Sequence, residues 1–399
     1  MECIKSPFIH LATSPPSRAD KSNNLHGAFE ARRYSARTIS DHHQTRPRRL
    51  FDSVVSSVPL PVVHVPLHGS ARLTSLQRAL AERPVLSSGQ CAREEGPESE
   101  LAIPKRISQA NPRLEGWHFV RKLADSFHVD GVVALNLCLA FEPLREPLWL
   151  YQRRYIGGVI PPEILKILLQ MILHGLDYLH TECQIIHADL KPDNIMIKLE
   201  DDTILDRDAQ KEHCSPLPQE HIDGRIIYLA RNNYGKLARP TGTIQIVDFD
   251  RSVFGNVAHS GPIQAEVYRA PEVIVDAGYS YPADIWSLGV MLWDVLEDKM
   301  LFRECLQENP RDIDEHQHLA HVTALLGPRP TELTSGRRLS RFYDANGRLR
   351  GHDRIPRGLT LESTIHNISG EDKEMFLRFT RKMLKWNPAE RSTRQRAAR

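Results

Sequence analysis

Three residues of types that handle phosphate chemistry stand close together in His187-Ala188-Asp189-Leu190-Lys191-Pro192-Asp193-Asn194: the carboxylate of Asp189, the ammonium of Lys191 and the amide of Asn194. A group-transfer site that does little covalent chemistry of its own must set a base beside an acceptor hydroxyl and hold metal ions against phosphates. Asp189 suits the base, Asn194 offers an amide oxygen to a cation, and Lys191 can neutralise the group in flight. Downstream, Asp248-Phe249-Asp250 presents Asp248 as a second oxygen ligand for a hard cation such as Mg²⁺. Taken alone, a short acidic motif of this kind is more often a solvated strand end.

The flanking elements must position these groups. Residues 244–247 read as a strand that ends at Asp248. After Pro161-Pro162-Glu163, which suits a helix start, Ile164, Leu165, Leu168, Met171, Ile172, Leu176 and Leu179 follow helical spacing and deliver the chain to His187. Apolar-rich stretches over 119–127 and 132–141, punctuated by Asp130-Gly131, predict a pair of strands. Further helices are expected over 283–298 and 371–385. The polar stretch 199–240 reads as an insertion loop. Residues 1–78 mix Ser, Pro, His and Arg without periodic apolar runs and are expected to be a disordered or targeting tail. The block 79–141 then forms a partial β-rich lobe, and 142–399 a mainly helical one.

Bulk properties narrow the class without choosing a function. A chain of 399 residues with 41% hydrophobic residues can bury a large core, and a formal net charge of +2 argues for neither nucleic acid nor an anionic membrane as partner. The longest apolar stretch, 164–179, is broken by Lys166, Gln170, His174 and Asp177, too polar for a membrane span. Cysteines at 3, 91, 138, 183, 214 and 305 lack metal or redox spacing, which favours free thiols in a reducing compartment, cytoplasmic and nuclear. The alternative is mitochondrial: the first fifty residues hold nine Lys or Arg against four Asp or Glu, and Arg32-Arg33-Tyr34-Ser35 is like a presequence cleavage region. His174, His180, His213 and His221 have no zinc-ligand spacing and read as ordinary surface or core histidines.

The order of motifs resembles the protein kinase family: the loop 187–194, Asp248-Phe249-Asp250, Ala270-Pro271-Glu272, Asp284-Ile285-Trp286-Ser287-Leu288-Gly289 and a late Arg391. Cys138-Leu139-Ala140-Phe141-Glu142-Pro143-Leu144, Tyr268-Arg269-Ala270-Pro271-Glu272-Val273 and the 53 residues between Asn194 and Asp248 look like the SR-protein kinase branch, especially its fungal relatives. The resemblance covers roughly residues 97–394. It implies an α+β, bilobal protein-kinase-like fold with a complete, mainly α-helical large lobe and a truncated β-rich small lobe. It implies a monomeric serine/threonine kinase using ATP and Mg²⁺, with Asp189, Lys191 and Asn194 catalytic and Asn194 and Asp248 holding metal. Phe141 would be the gatekeeper, with the Glu142 carbonyl and the Leu144 amide facing adenine. Glu272 and Arg391 would pair to brace the large lobe, and Asp284 would hold the catalytic-loop backbone.

Departures from the family carry expectations of their own. Ala188 replaces the usual Arg that clamps a phosphorylated activation segment, so activity is expected not to depend on that phosphorylation. Asp250 replaces a Gly and removes a flexible backbone position. No Gly-rich phosphate-covering loop appears, and no lysine lies between Lys21 and Lys105. Arg83 falls nearest the family's lysine position and Glu100 in the place of its helix glutamate. Pro104 is expected to disrupt a helix through Glu100 or to begin one after it.

Residues 294–315 carry eight acids against three bases. By resemblance, Asp312, Asp314 and Glu315 would dock Arg/Ser-rich splicing factors, with a solvated acidic loop as the plain alternative; on charge complementarity alone, Glu266 would favour arginine beside the phosphoacceptor. The second functional reading is a non-catalytic scaffold that keeps the docking surface but cannot position ATP.

Overall fold

The computed structural model describes residues 97–392 apart from 131–134, 202, 216–218, 223–224, 229–234, 238–241, 308–312, 332 and 334. The expected tail over 1–78, Arg83 and Asp312 lie outside the described residues. The first described element, α1, spans Pro97–Gln109 and runs straight through Pro104, so Glu100 belongs to the helix and the expected break does not occur. An interior proline costs about 3 kcal/mol, whereas each buried isoleucine contributes about 1.5–3 kcal/mol. Ile103 and Ile107 are both buried. The large lobe adds anchors: Tyr178 Oη donates to the Ile107 carbonyl at 3.0 Å, and Arg106 donates to the carbonyls of Cys183 and Glu182 at 3.3 and 2.6 Å.

Strand β1 (Leu123–Asp130) pairs antiparallel with β2 (Leu135–Phe141), from Leu123↔Phe141 to Asp130↔Leu135, with a bulge between Leu123 and Asp125. β1 starts later than its apolar run because Glu115–Phe119 is a 3₁₀ turn pressed onto the following long helix. A Cβ on Gly116 would stand 2.0 Å from the His174 carbonyl oxygen, and one on Gly175 would stand 2.8 Å from Ile246. Neither position has room for a side chain.

The large lobe opens with β3 (Leu144–Pro147) and helix α2 (Pro162–Asp177). Proline at its first turn fits that helix's start. Leu165, Leu168, Ile172 and Leu176 form its buried stripe, while Lys166 faces out and pairs with Asp372 at 3.2 Å. Strand β4 (Ile195–Lys198) lies between β3 and a later strand in a three-stranded antiparallel sheet. Alternation along β4 sends Ile195 and Ile197 into the main core and Met196 to the opposite face.

The stretch expected as a loop contains helix α3 (Thr203–Cys214) and a hairpin, β5 (Gln219–Ile222) with β6 (Arg225–Tyr228). Polarity misled that reading, since Arg, Gln, Lys, Glu and Ala all tolerate or favour helix, and Asp201 Oδ1 accepts from the Thr203 amide at 2.8 Å at the helix start. The exit of the insert is fastened: the Gly235 carbonyl accepts from both Arg145 and Arg154 at 2.8 Å, and Arg154 also reaches Glu146 at 2.6 Å.

Strand β7 (Ile244–Ile246) completes the sheet. Helix α4 (Pro282–Glu297) is buried almost all round and forms the axis of the lobe. Helix α5 (Glu315–Leu326) is capped by Asp314, which accepts from the Gln317 amide. The amphipathic α6 (Gly370–Met383) buries Phe376, Leu377, Thr380 and Met383, with Phe376 edge-on to Trp293 at 5.3 Å between ring centroids. One continuous core runs from Ile103 to Trp386, and a separate small cluster joins Leu144, Met196 and Val247. The result is an α+β fold: a helical lobe with α1 and the β1–β2 hairpin above its sheet.

Candidate active site

Between α2 and β4 the chain makes the loop expected to carry the chemistry. The Asp189 side chain is buried, and its Oδ2 lies 3.0 Å from Lys191 Nζ and 3.3 Å from Asn194 Nδ2. Asn194 Nδ2 also donates to the Asp189 carbonyl at 2.8 Å. With its nitrogen committed to Asp189, the Asn194 amide keeps its oxygen as the ligand atom. Asp248, half-buried, follows β7 with φ of 65°. The Asn194 carbonyl accepts from the Val247 amide at 2.9 Å, which ties the two segments together. Asn194 and Asp248 thus supply two hard oxygens, a donor set that fits Mg²⁺ with phosphates and water completing the shell. Among the described residues no group of three or more His, Cys, Asp or Glu is placed to hold a metal by itself.

The loop is braced from beneath. Asp284, fully buried on α4, accepts from the His187 and Ala188 amides at 2.8 and 2.9 Å and lies 2.8 Å from His180 Nε2. Burial alone would raise this carboxyl, but the His180 hydrogen bond, His180 and His187 charge, and the His187 amide bring it below the usual carboxylate range. His187 Nδ1 accepts from the Asp189 amide at 3.3 Å while Nε2 stands 3.0 Å from the Val247 carbonyl. Ala188 takes φ of 64°, left-handed backbone that costs a non-glycine residue roughly 1–2 kcal/mol. The Asp284 bonds offset that cost. Asp250 stays out of the left-handed region, so its side chain is accommodated where the family has glycine.

Gln264 is the residue that sequence reasoning missed on the activation segment. Buried and at φ 66°, it donates from Nε2 to the Ala283 carbonyl and Ser287 Oγ at 2.8 Å, and its Oε1 accepts from the Ala270 amide at 2.9 Å. Its amide donates to the Ala188 carbonyl at 2.8 Å, and Ser252 Oγ donates to the His187 carbonyl at 3.0 Å. The segment is therefore fastened to the catalytic loop by neutral hydrogen bonds at the position where an arginine would need a phosphate. Only an uncharged buried polar residue between two apolar neighbours could have signalled this role.

Glu272 and Arg391 make the expected pair, buried and bidentate at 2.6 and 2.7 Å, with the guanidinium 5.0 Å above the Trp286 ring. Two of the candidate docking acids, Asp314 and Glu315, have partners within the chain. Asp314 caps α5 and pairs with Arg354 at 2.9 Å, while Glu315 grips Arg338 through both oxygens and stands 3.7 Å from Arg269. Glu266 lies 4.0 Å from Arg269. Tyr268 Oη donates to Asp294 at 3.1 Å. Burial first, then the Asp193 charge, hold the Asp294 carboxyl well above the usual range.

On the hairpin side, Phe141 and Leu144 are buried and Glu142 is exposed. Met196 and Val247, unnamed by sequence reasoning, join Leu144 in the small apolar cluster under the cleft. The Glu142 carbonyl is taken: Arg121 Nη2 donates to it at 2.9 Å, with the guanidinium 4.7 Å above the Phe141 ring. Burial lowers Arg121 to about 9 against the opposing pull of Glu142 and Asp248.

A braced Asp-Lys-Asn loop, a facing Asp248 after a strand, and a strand hairpin above a helical lobe define the protein-kinase class of phosphotransferase. Residues 118–399 match the protein kinase domain family. The chain is 33% identical over 296 residues, 74% of its length and 71% of the relative's, to a serine/threonine protein kinase of Aspergillus fumigatus. It is 27% identical over 319 residues, 75% and 74% of the two chains, to the serine/threonine-protein kinase SRPK of Physarum polycephalum. A solved kinase domain shares the fold with a TM-score of 0.53 at 23% identity, covering 76% of this chain and 81% of that one. The chain belongs to the protein kinase family, as a serine/threonine kinase.

Proposed function

We propose that this chain transfers the γ-phosphoryl group of ATP to serine or threonine hydroxyls in Arg/Ser-rich proteins. The observation that carries the reading is the Asp189 carboxylate held between Lys191 and Asn194 on a loop braced by Asp284. Asp189 orients the acceptor hydroxyl and receives its proton; Lys191 stabilises charge on the group in transit. Asn194 and Asp248 hold Mg²⁺, which when bound with the nucleotide neutralises phosphate charge. Leu144, Met196 and Val247 supply an apolar floor for the base, framed by Phe141, Glu142 and Leu144 of the hinge. Gln264 keeps the segment in place without phosphorylation. The preference for arginine rests on the SRPK relative.

The test is phosphate incorporation from labelled ATP into an Arg/Ser repeat peptide by the full chain and by Asp189→Asn. Incorporation by the full chain alone is expected; equal counts from both proteins reject transfer at this site. A second reading, a kinase-fold scaffold that binds basic peptide without transferring phosphate, is favoured by one observation, the guanidinium on the hinge carbonyl.

A further inference from the structure

Arg145 stands one residue past Leu144 of the cleft floor, and its side chain is fully enclosed. The guanidinium donates to three groups: Glu146 at 3.4 Å, Glu200 at 2.5 Å and the Gly235 carbonyl at 2.8 Å. Glu200 lies at the entry of the insert 199–240 and Gly235 near its exit, so one side chain holds both ends. Arg154 closes the network from the other side, reaching Glu146 at 2.6 Å and the same Gly235 carbonyl at 2.8 Å. Glu146 is nearly as enclosed as Arg145. Charges this deep persist only while each keeps its partners.

The strand that carries the network links it to the cleft. β3 pairs with β4 at Leu144↔Lys198 and at Pro147↔Met196, and the register is irregular between those pairs, where Arg145 and Glu146 lie. A regular ladder fixes a residue through its backbone; at an irregularity the side chains take a larger share. The nearby pair of Lys198 with Glu142, 3.7 Å apart and exposed on both sides, adds little.

We propose that Arg145 is a positioning residue through which the two ends of the insert set nucleotide affinity. The inference rests on the reading of this cleft as the nucleotide site. With Glu200 and Gly235 seated on the guanidinium, β3 is held and Leu144 is in place for the base. When the insert ends leave, Arg145 and Glu146 lose partners in low dielectric, and the strand shifts to bring them to water. Nucleotide then binds only the fraction of molecules in which β3 is in place, and affinity falls by that fraction. The catalytic loop is braced by Asp284, so turnover at saturating nucleotide is unaffected.

The experiment is equilibrium binding of a non-hydrolysable ATP analogue with Mg²⁺ to the full chain and to Arg145→Met, Arg145→Lys, Glu200→Ala and the Arg145→Met/Glu200→Ala double variant. KM for ATP and kcat are measured alongside, and folding is checked by thermal unfolding. Glu200 lies in the insert with its side chain 17% exposed, so its variant carries the test should Arg145→Met fail to fold. Arg145→Met is expected to bind about tenfold more weakly, and Glu200→Ala to lose less in the same direction. Arg145→Lys, which keeps the charge without the planar fork, falls between Arg145→Met and the unsubstituted chain. KM rises with the dissociation constant while kcat stays within about twofold. The double variant binds as Arg145→Met does, because the two groups act as a unit. Unchanged affinity in the folded variants, losses that add in the double variant, or a fall in kcat with affinity intact overturns the inference while leaving the nucleotide site standing. Absence of binding by the unsubstituted chain overturns the nucleotide reading and this inference together.

Discussion

On the large-lobe side of the cleft, buried charge meets opposite charge or several hydrogen bonds: Asp284 with two backbone amides and His180, Glu272 with Arg391, Asp189 with Lys191 and Asn194. On the hairpin side, a buried guanidinium is held by a carbonyl and a ring face, and many β1 side chains are only half-buried. The first arrangement fixes geometry, because breaking any member leaves an uncompensated group in low dielectric. Substitutions on the two sides should accordingly differ in kind: those under the loop remove the partner of a buried charge, and those among the half-buried β1 side chains do not.

The largest effect tests whether the two sides divide in this way. Asp189→Asn and Asp248→Asn are expected to lower phosphate transfer by roughly 10²–10⁴-fold, with thermal unfolding close to that of the unsubstituted chain. A variant that unfolds early instead would show that the site also holds the lobe together.

Glu272→Ala leaves Arg391 buried and unpaired and should cost about 3–5 kcal/mol in urea unfolding. A loss under about 1 kcal/mol, the range of exposed pairs, would erase the contrast between the two sides.

Gln264→Ala strands the Ala270 amide and two partners on α4, for about 1–3 kcal/mol. Phosphatase treatment of the unsubstituted chain should leave transfer unchanged. Activity abolished by the phosphatase would transfer the fastening role from Gln264 to a phosphorylated residue.

An effect seen only on acidification concerns His318 on α5, buried against Phe302 at 4.3 Å with neither ring nitrogen hydrogen-bonded. Burial, with Arg269 and His321 nearby, pushes its imidazole down to about 3. The unfolded chain takes up that proton near pH 6.5 and the folded chain does not, so the unfolded state binds more protons in between. Stability contributed by the neutral form is complete above about pH 6.5 and falls by about 1.4 kcal/mol per pH unit on acidification, until the folded group titrates. His318→Met should flatten that part of the pH profile of urea midpoints. An identical slope in both proteins would assign acid sensitivity to other groups.

Much of the site was legible because its members are near neighbours along the chain. Asp189, Lys191 and Asn194 share one loop, Asp248 follows a strand, and α2 and α6 declare themselves through apolar residues at helical spacing. Where reading failed, the deciding contact was remote. Pro104 is carried by burial of Ile103 and Ile107 and by the Tyr178 bond to the Ile107 carbonyl. Met196 and Val247 converge on Leu144 only once β4 lies against its neighbours.

By itself the sequence determined the fold class, the catalytic loop and the order of the elements around it, since periodicity, turn chemistry and closely spaced functional groups are local properties. Tertiary structure alone decided which of those groups has a partner. Glu142 has an unpartnered-looking carbonyl until the segment before β1 brings Arg121 onto it, and Gln264 is an ordinary glutamine until Ala188, Ala270, Ala283 and Ser287 gather around it. Hydrogen bonds and desolvation depend on distances of a few ångströms, and folding alone sets such distances between residues tens of positions apart.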